Sequence, residues 1–316
     1  MANRRSSYEN ETDALIEDEA APLYDGEYPP KRWSRQPKFS LAKLRPDLSK
    51  PWPPVVRLVL LLIVLVPLVN WIALAYVFSR SAAFFPPLLR TSKQVLLLAA
   101  HPDDECLFFS PAITSILQRA DDATGHVLIM SSGNHYGLGA QRRIELKGSC
   151  KALGIAEQNC DVLNTTDIQD DPTYWWPEER LVELIKDHVA RWNIDTIVTF
   201  DSGGVSGHIN HRAVSAAAVA LAKQEGAPNV YTSATVNVLR KYSALLDLPL
   251  TSLAFVPRFL TLSDSNNHAL LVGTFSQYLA ARKAFHSHKS QMVWDRYLYM
   301  LVSRYMYFNT LSLSQS

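Results

Sequence analysis

Cysteine is scarce in this 316-residue sequence: Cys106, Cys150 and Cys160 are all it has, an odd number with no CxxC pair. Such usage implies neither a disulfide framework nor a thiolate zinc site, and free thiols fit a reducing compartment. Net charge is scarce as well. Lys+Arg 31 against Asp+Glu 30 leaves only +1, without the positive surplus that drives nucleic-acid binding, so no nucleic-acid partner is expected. A phosphate-binding P-loop is also missing, because the glycine-rich run 203–207 continues into His208 and not into Lys-Ser/Thr. Apolar side chains are not lacking. At 47% hydrophobic and 19% charged, the chain is too apolar to be disordered throughout and long enough for one substantial core or two small ones.

The near-neutral total hides a segregated chain. Residues 1–54 carry few large apolar side chains, with acidic residues between Glu9 and Glu27, then Lys31, Arg32, Arg35, Lys38, Lys43, Arg45 and Lys50, and a closing Pro51-Trp52-Pro53-Pro54. This composition predicts a disordered tail, since it cannot bury enough apolar surface to offset chain entropy. Residues 58–79 then contain no charge, and at 1.5 Å per residue they reach about 33 Å, enough to cross a hydrocarbon layer. The expectation is one transmembrane helix over 55–79, kinked at Pro67, with a buried core helix as the alternative. Flanking charges, Lys43, Arg45, Lys50 and Arg57 before it against Arg80, Arg90 and Lys93 after it, lean slightly toward a cytosolic N-terminus.

From residue 93 to 316 the pattern becomes short apolar runs alternating with helical stretches. Strands are expected at 95–100, 126–131, 161–163, 194–200 and 230–236, and helices at 107–119, 140–153, 178–192 and 211–224. This alternation predicts an α/β domain of Rossmann type, a mostly parallel sheet with helices on both faces.

Two clusters follow apolar strands. Ala99-Ala100-His101-Pro102-Asp103-Asp104-Glu105 sits where open α/β sheets bind ligands, although acidic residues opening a helix complement its dipole equally well. Asp201 to His211 carries His208 and His211 three residues apart, on one face at a helix start but weak evidence alone. Taken together, His101, one aspartate of the pair and one of the two histidines meet the ligand count of a catalytic zinc. A carboxylate and an imidazole are left over for acid–base work in a metal-assisted hydrolysis.

The chain resembles the LmbE-like deacetylase family, and especially its eukaryotic membrane-bound branch. The resemblance runs from about Val95 to Leu311. It rests on His101-Pro102-Asp103-Asp104-Glu105, on Gly139-x-x-Arg142-x-x-Glu145-Leu146, on Thr199-Phe200-Asp201 leading into Gly204 to His211, on His288-Lys289-Ser290-Gln291 and on Ser303-Arg304-Tyr305-Met306. It implies an LmbE-like fold and a hydrolase that de-N-acetylates N-acetylglucosaminyl-phosphatidylinositol in GPI-anchor synthesis, at the endoplasmic-reticulum membrane with the catalytic domain on the cytosolic face. It further implies that His101, Asp104 and His211 bind a divalent metal, Zn²⁺ before Fe(II) or Mn. Asp103 would be the general base, and a protonated His208 would stabilise the oxyanion or help protonate the leaving amine. Arg142 would touch substrate, with an ion pair to Glu145 as the equal alternative. No role beyond helix packing is expected of His288. Tyr174-Trp175-Trp176 is open between sugar stacking, the bilayer interface and the core, and the aromatic C-terminal stretch is expected to be an amphipathic element.

Overall fold

The computed structural model describes residues 51–261 and 265–314. Everything below belongs to the unit Pro53–Ser316. The tail expected over 1–54 lies outside the described residues up to position 50.

Seven strands form one sheet in the order β3-β2-β1-β4-β5-β7-β6: β1 (Gln94–Ala99), β2 (Thr124–Ile129), β3 (Cys160–Val162), β4 (Thr196–Phe200), β5 (Asn229–Ser233), β6 (His268–Val272) and β7 (Phe308–Ser314). The first five are parallel. Their interiors are continuous apolar runs, as in Val95-Leu96-Leu97-Leu98-Ala99, all without solvent exposure, because helices cover both faces of a parallel sheet. One helical group comprises Ser110–Arg119, Gly139–Ala152 and Phe275–Ser287, and another pairs Glu178–Trp192 with Ile209–Ala222. Each fully buried large apolar side chain in this core contributes roughly 1.5–3 kcal/mol.

The structure departs from expectation at the C-terminus. Beyond the aromatic helix Trp294–Val302, Phe308–Ser314 is a strand inserted antiparallel between β5 and β6, which no apolar run announced. Its Asn309 is fully buried and paired, donating to the Phe108 carbonyl at 2.7 Å and accepting the Ala112 N–H at 3.0 Å. A polar residue satisfied this way reads from sequence as surface. A second correction concerns cysteine: Cys150 and Cys160 are joined in a disulfide, leaving only Cys106 free among the described residues. The pair lacks CxxC spacing, and only the return of the chain from helix Gly139–Ala152 into β3 brings it together.

The uncharged run forms a helix, Pro54–Ile72, that continues through one wider turn to Val77. Within Pro54–Val77 the most apolar 18-residue stretch has a mean hydropathy of 2.8 and only 17% of its residues buried, so this is not the core helix of the alternative reading. Its last turns do meet the sheet domain. Trp71 Nε1 donates to the Gly273 carbonyl at 2.8 Å, the Tyr76 hydroxyl accepts the Phe275 N–H at 3.0 Å, and Leu74 and Ala75 pack with Phe84, Leu248, Phe255 and Phe308. The core also takes in Phe85 and Leu89 ahead of residue 93.

Candidate active site

From β1 the chain moves outward to β2 and β3, and from β4 it moves the other way to β5. The crevice between the carboxyl ends of β1 and β4 is therefore the point where strand order reverses, the place where an open α/β sheet leaves room for a ligand. The loops leaving these two strands carry the two clusters seen in the sequence. His101, Asp103, Asp104, Arg142, His208 and His211 all line one cavity of about 360 Å³ there.

The first loop is held in a conformation few residues adopt. Asp103 has φ 115°, in the left-handed region, which costs a non-glycine residue about 1–3 kcal/mol and persists only where neighbours enforce it. They do. Its N–H donates to Glu105 Oε2 at 2.8 Å and its carbonyl accepts from Cys106 and Leu107. Asp104 then turns back under the strand end, taking the N–H of His101 at 2.8 Å on Oδ2. Burial pushes the Asp103 carboxyl up to about 6 against the pull of Arg142. For Asp104 burial acts in the same direction, but the His211 and His101 imidazoles outweigh it and hold the acid below the usual carboxylate range.

The second loop is organised by Asp201, whose carboxylate accepts the N–H groups of Gly203 at 3.0 Å, Gly204 at 3.1 Å and Thr235 at 2.6 Å. Gly204 has φ +62°, and a Cβ there would stand 2.8 Å from His211 Cβ, so only glycine lets the loop close over the histidine. The freed Gly204 carbonyl accepts from His211 Nδ1 at 2.9 Å. This fixes the His211 tautomer and leaves the Nε2 lone pair facing Asp104 Oδ1 at 3.4 Å. His208 caps the following helix: its Nδ1 accepts the Asn210 N–H at 3.3 Å, so the neutral ring carries its proton on Nε2. Burial, then the neighbouring His211 and His101, lower its pKa to about 4.

The donors suit a divalent metal. His101 and His211 each present a nitrogen and Asp104 an oxygen, and a nitrogen of His208 lies within 4.8 Å of those of His101 and His211. Two acceptors, His211 Nε2 and Asp104 Oδ1, confront each other across a gap that needs a cation or a proton between them. The His211 carbonyl contact is the outer hydrogen bond that a ligating imidazole ordinarily makes.

Arg142 does not pair with Glu145. Its guanidinium reaches the Pro102 and Gly133 carbonyls and stands 3.5 Å from Asp103 Oδ2, while Glu145 accepts from Ser290 N at 2.9 Å and Ser290 Oγ at 2.6 Å. His288 is likewise more than packing, since it meets Glu105 in the buried layer beneath the loop. Trp176 is fully buried, its ring centroid 5.9 Å from that of His101. Trp175 is exposed beside Arg212. Asp170, Lys241, Tyr242, Gln291, Arg296 and Tyr299 also line the cavity, and none was singled out in the sequence as a site residue. Asp170 lies 3.2 Å from His101 Nε2, delivered by an irregular loop with no motif to announce it.

Fold and site together define a deacetylase-type α/β protein, with a His/Asp cluster at the switch point of a mostly parallel sheet. Residues 96–222 match the PIG-L family, described as GlcNAc-PI de-N-acetylase. The N-acetylglucosaminyl-phosphatidylinositol de-N-acetylase of Bos taurus is 40% identical over 222 residues, covering 69% of this chain and 83% of its own. A probable enzyme of that name from Schizosaccharomyces pombe is 33% identical, covering 69% and 86%. Among solved structures, the N,N'-diacetylchitobiose deacetylase of Pyrococcus horikoshii is similar at 15% identity and TM-score 0.49, covering 84% of this chain and 94% of its own. The chain belongs to the GlcNAc-PI de-N-acetylase family.

Proposed function

We propose that this chain hydrolyses the acetamide of N-acetylglucosaminyl-phosphatidylinositol, releasing acetate and glucosaminyl-phosphatidylinositol, as in the second step of GPI-anchor synthesis. The observation that carries this reading is the convergence of His101, Asp103, Asp104, His208 and His211 on one cavity in a chain of this family.

His101, Asp104 and His211 would hold a divalent metal, zinc by the nature of the donors, which when bound supplies Lewis acidity at the acetyl carbonyl and acidifies water. The Asp103 carboxylate takes the proton of the attacking water, kept in place by Arg142 at 3.5 Å. His208 donates from Nε2 to the carbonyl oxygen as it gains charge, a contact of the kind whose loss costs about 10²–10³ in kcat. Its Nδ1 is taken up by the Asn210 N–H, which supports a neutral ring and replaces the protonated His208 expected from the sequence. The proton for the departing amine then comes back from Asp103.

The last turns of a helix of 24 residues over Pro54–Val77 pack on the same domain, and at about 36 Å this helix reaches across a bilayer and would hold the domain at the surface that carries a lipid-borne sugar. Short helices next to it expose Leu246, Leu250, Leu253 and Leu260, a surface suited to lipid. We place the protein in the endoplasmic-reticulum membrane with this domain on the cytosolic face, a placement that rests on the family resemblance. The Cys150–Cys160 bond removes the support that free thiols would have lent it.

The test is full-length protein in phospholipid vesicles given N-acetylglucosaminyl-phosphatidylinositol, with acetate release and metal content both measured. Asp103→Asn should keep metal and lose activity, and His101→Ala or Asp104→Ala should lose both. Full activity in the Asp103 variant overturns the mechanism, and turnover only of other N-acetyl sugars overturns the substrate. Protease protection of the domain in sealed microsomes would overturn the orientation.

A further inference from the structure

We propose that Lys241 and Arg296 form an anion subsite that takes the phosphodiester of the substrate; this rests on the function proposed above and assigns the part of the cavity that deacetylation leaves unused. Lys241 ends the short helix Val238–Lys241 after β5 and is only 8% exposed. Among the described residues no carboxylate lies within ion-pair distance of it. Its ammonium sits near the rings of Tyr242 at 5.6 Å, Phe108 at 5.8 Å and Tyr299 at 5.9 Å, and donates to the Val205 carbonyl at 3.4 Å. Aromatic faces ease the burial of a cation, but they leave most of its hydrogen-bonding capacity unused.

The neighbouring charge is a second cation. Burial, and then the Arg296 guanidinium, hold Lys241 below the ordinary lysine range. Arg296 lines the same cavity from helix Trp294–Val302, with a buried Nε that has no partner and an Nη1 4.0 Å from the half-exposed Asp295. A buried ammonium facing a second, partly exposed cation without a buried counterion is costly, and an anion entering the cavity offsets that cost.

Position identifies the anion. The Phe108 ring lies 5.8 Å from the His211 ring and 5.8 Å from the Lys241 ammonium, so the subsite adjoins the His/Asp cluster without sharing its donors. In the proposed substrate one inositol ring separates the N-acetylated sugar from the phosphate, which calls for the same division of the cavity. Asp103, Asp104 and Asp170 stand against Arg142, His211 and His101, where their charge repels a phosphate, so the cationic side of the cavity is the favourable place for it.

The experiment compares N-acetylglucosaminyl-phosphatidylinositol with N-acetylglucosaminyl-inositol lacking the phosphate, using full-length wild type, Lys241→Met, Lys241→Arg and Arg296→Gln. Lys241→Met and Arg296→Gln should raise KM for the phosphate-bearing substrate about tenfold or more with kcat changed less than about threefold. They should leave the phosphate-free substrate unaffected, and Lys241→Arg should restore most of the loss. Glycerophosphoinositol should bind wild type and inhibit it competitively, and it should bind the Met variant at least tenfold more weakly. An unchanged KM, or an equal loss on both substrates, overturns the subsite. Inhibition by inorganic phosphate as strong as by glycerophosphoinositol would mean a free-phosphate site and also overturns it. If wild type turns over neither substrate, the function proposed above fails, and glycerophosphoinositol binding then decides the subsite separately.

Discussion

His288 and Glu105, 183 residues apart, meet at 2.7 Å between imidazole Nε2 and carboxylate Oε1, both side chains wholly buried. Ser149 Oγ donates to the same carboxylate and Glu105 Oε2 holds the N–H of Asp103, so the pair supports the strained turn of the loop after β1 from below. Removing one partner of such a pair leaves a buried charge uncompensated and costs about 3–5 kcal/mol. His288→Ala should therefore lower the melting temperature markedly and reduce kcat through Asp103. A melting curve that overlays wild type would show that the pair does not support the loop.

Gly133 and Arg142 are coupled by space. Gly133 has φ +67°, and a Cβ built there falls 2.2 Å from Arg142 Nη1. Gly133→Ala should push the guanidinium off the Pro102 carbonyl and away from Asp103. It should lower kcat by about 10² or more, the scale expected when a positioning contact at the reacting centre is lost, and Arg142→Met should do the same. Wild-type turnover in Gly133→Ala would separate Arg142 from the reaction.

Thiol content gives a direct check of the Cys150–Cys160 bond. Protein unfolded without reductant should take up one equivalent of alkylating reagent, at Cys106, and three after reduction. Three equivalents without reductant would mean a dithiol in the protein as isolated.

Acid should erase one local contribution to stability. The hydrogen bond from His188 at 3.2 Å, opposed by burial and reinforced by Arg191 at 2.8 Å, holds Asp161 below its ordinary 3.8. A depressed carboxylate stabilises the fold above its unfolded pKa and loses that contribution as pH falls through the folded value. With the Asp161 side chain 39% exposed, the contribution is at most about 1 kcal/mol. Asp161→Asn should be slightly less stable than wild type at pH 7, and the difference should shrink below pH 4. A gap in unfolding free energy as large at pH 2 as at pH 7 would contradict this.

Much of the architecture was legible because it depends on local patterns. The buried strand runs, the helix periodicities and the uncharged span are properties of consecutive residues, and β1, β2, β4 and β5 lie within a few positions of where the apolar runs placed them. The two chemistry-bearing loops were legible for the same reason, since each directly follows such a strand. What the sequence could not express is pairing across distance. β7 was missed because its polar residues look exposed until Phe108 and Ala112 are seen to satisfy Asn309. The role of His288 depended on a carboxylate nearly two hundred residues away, the disulfide on a helix returning beside a strand, and the cationic end of the cavity on Lys241 and Arg296 arriving from separate elements.

By itself, then, the sequence determined which residues could do chemistry and that a long apolar helix precedes an α/β domain, because residue type and short-range period carry that information. Tertiary structure alone decided which of those residues share a cavity and in what geometry. Tautomers, burial and charge surroundings arise only when distant segments pack together, and these are what turn a list of histidines and aspartates into a site.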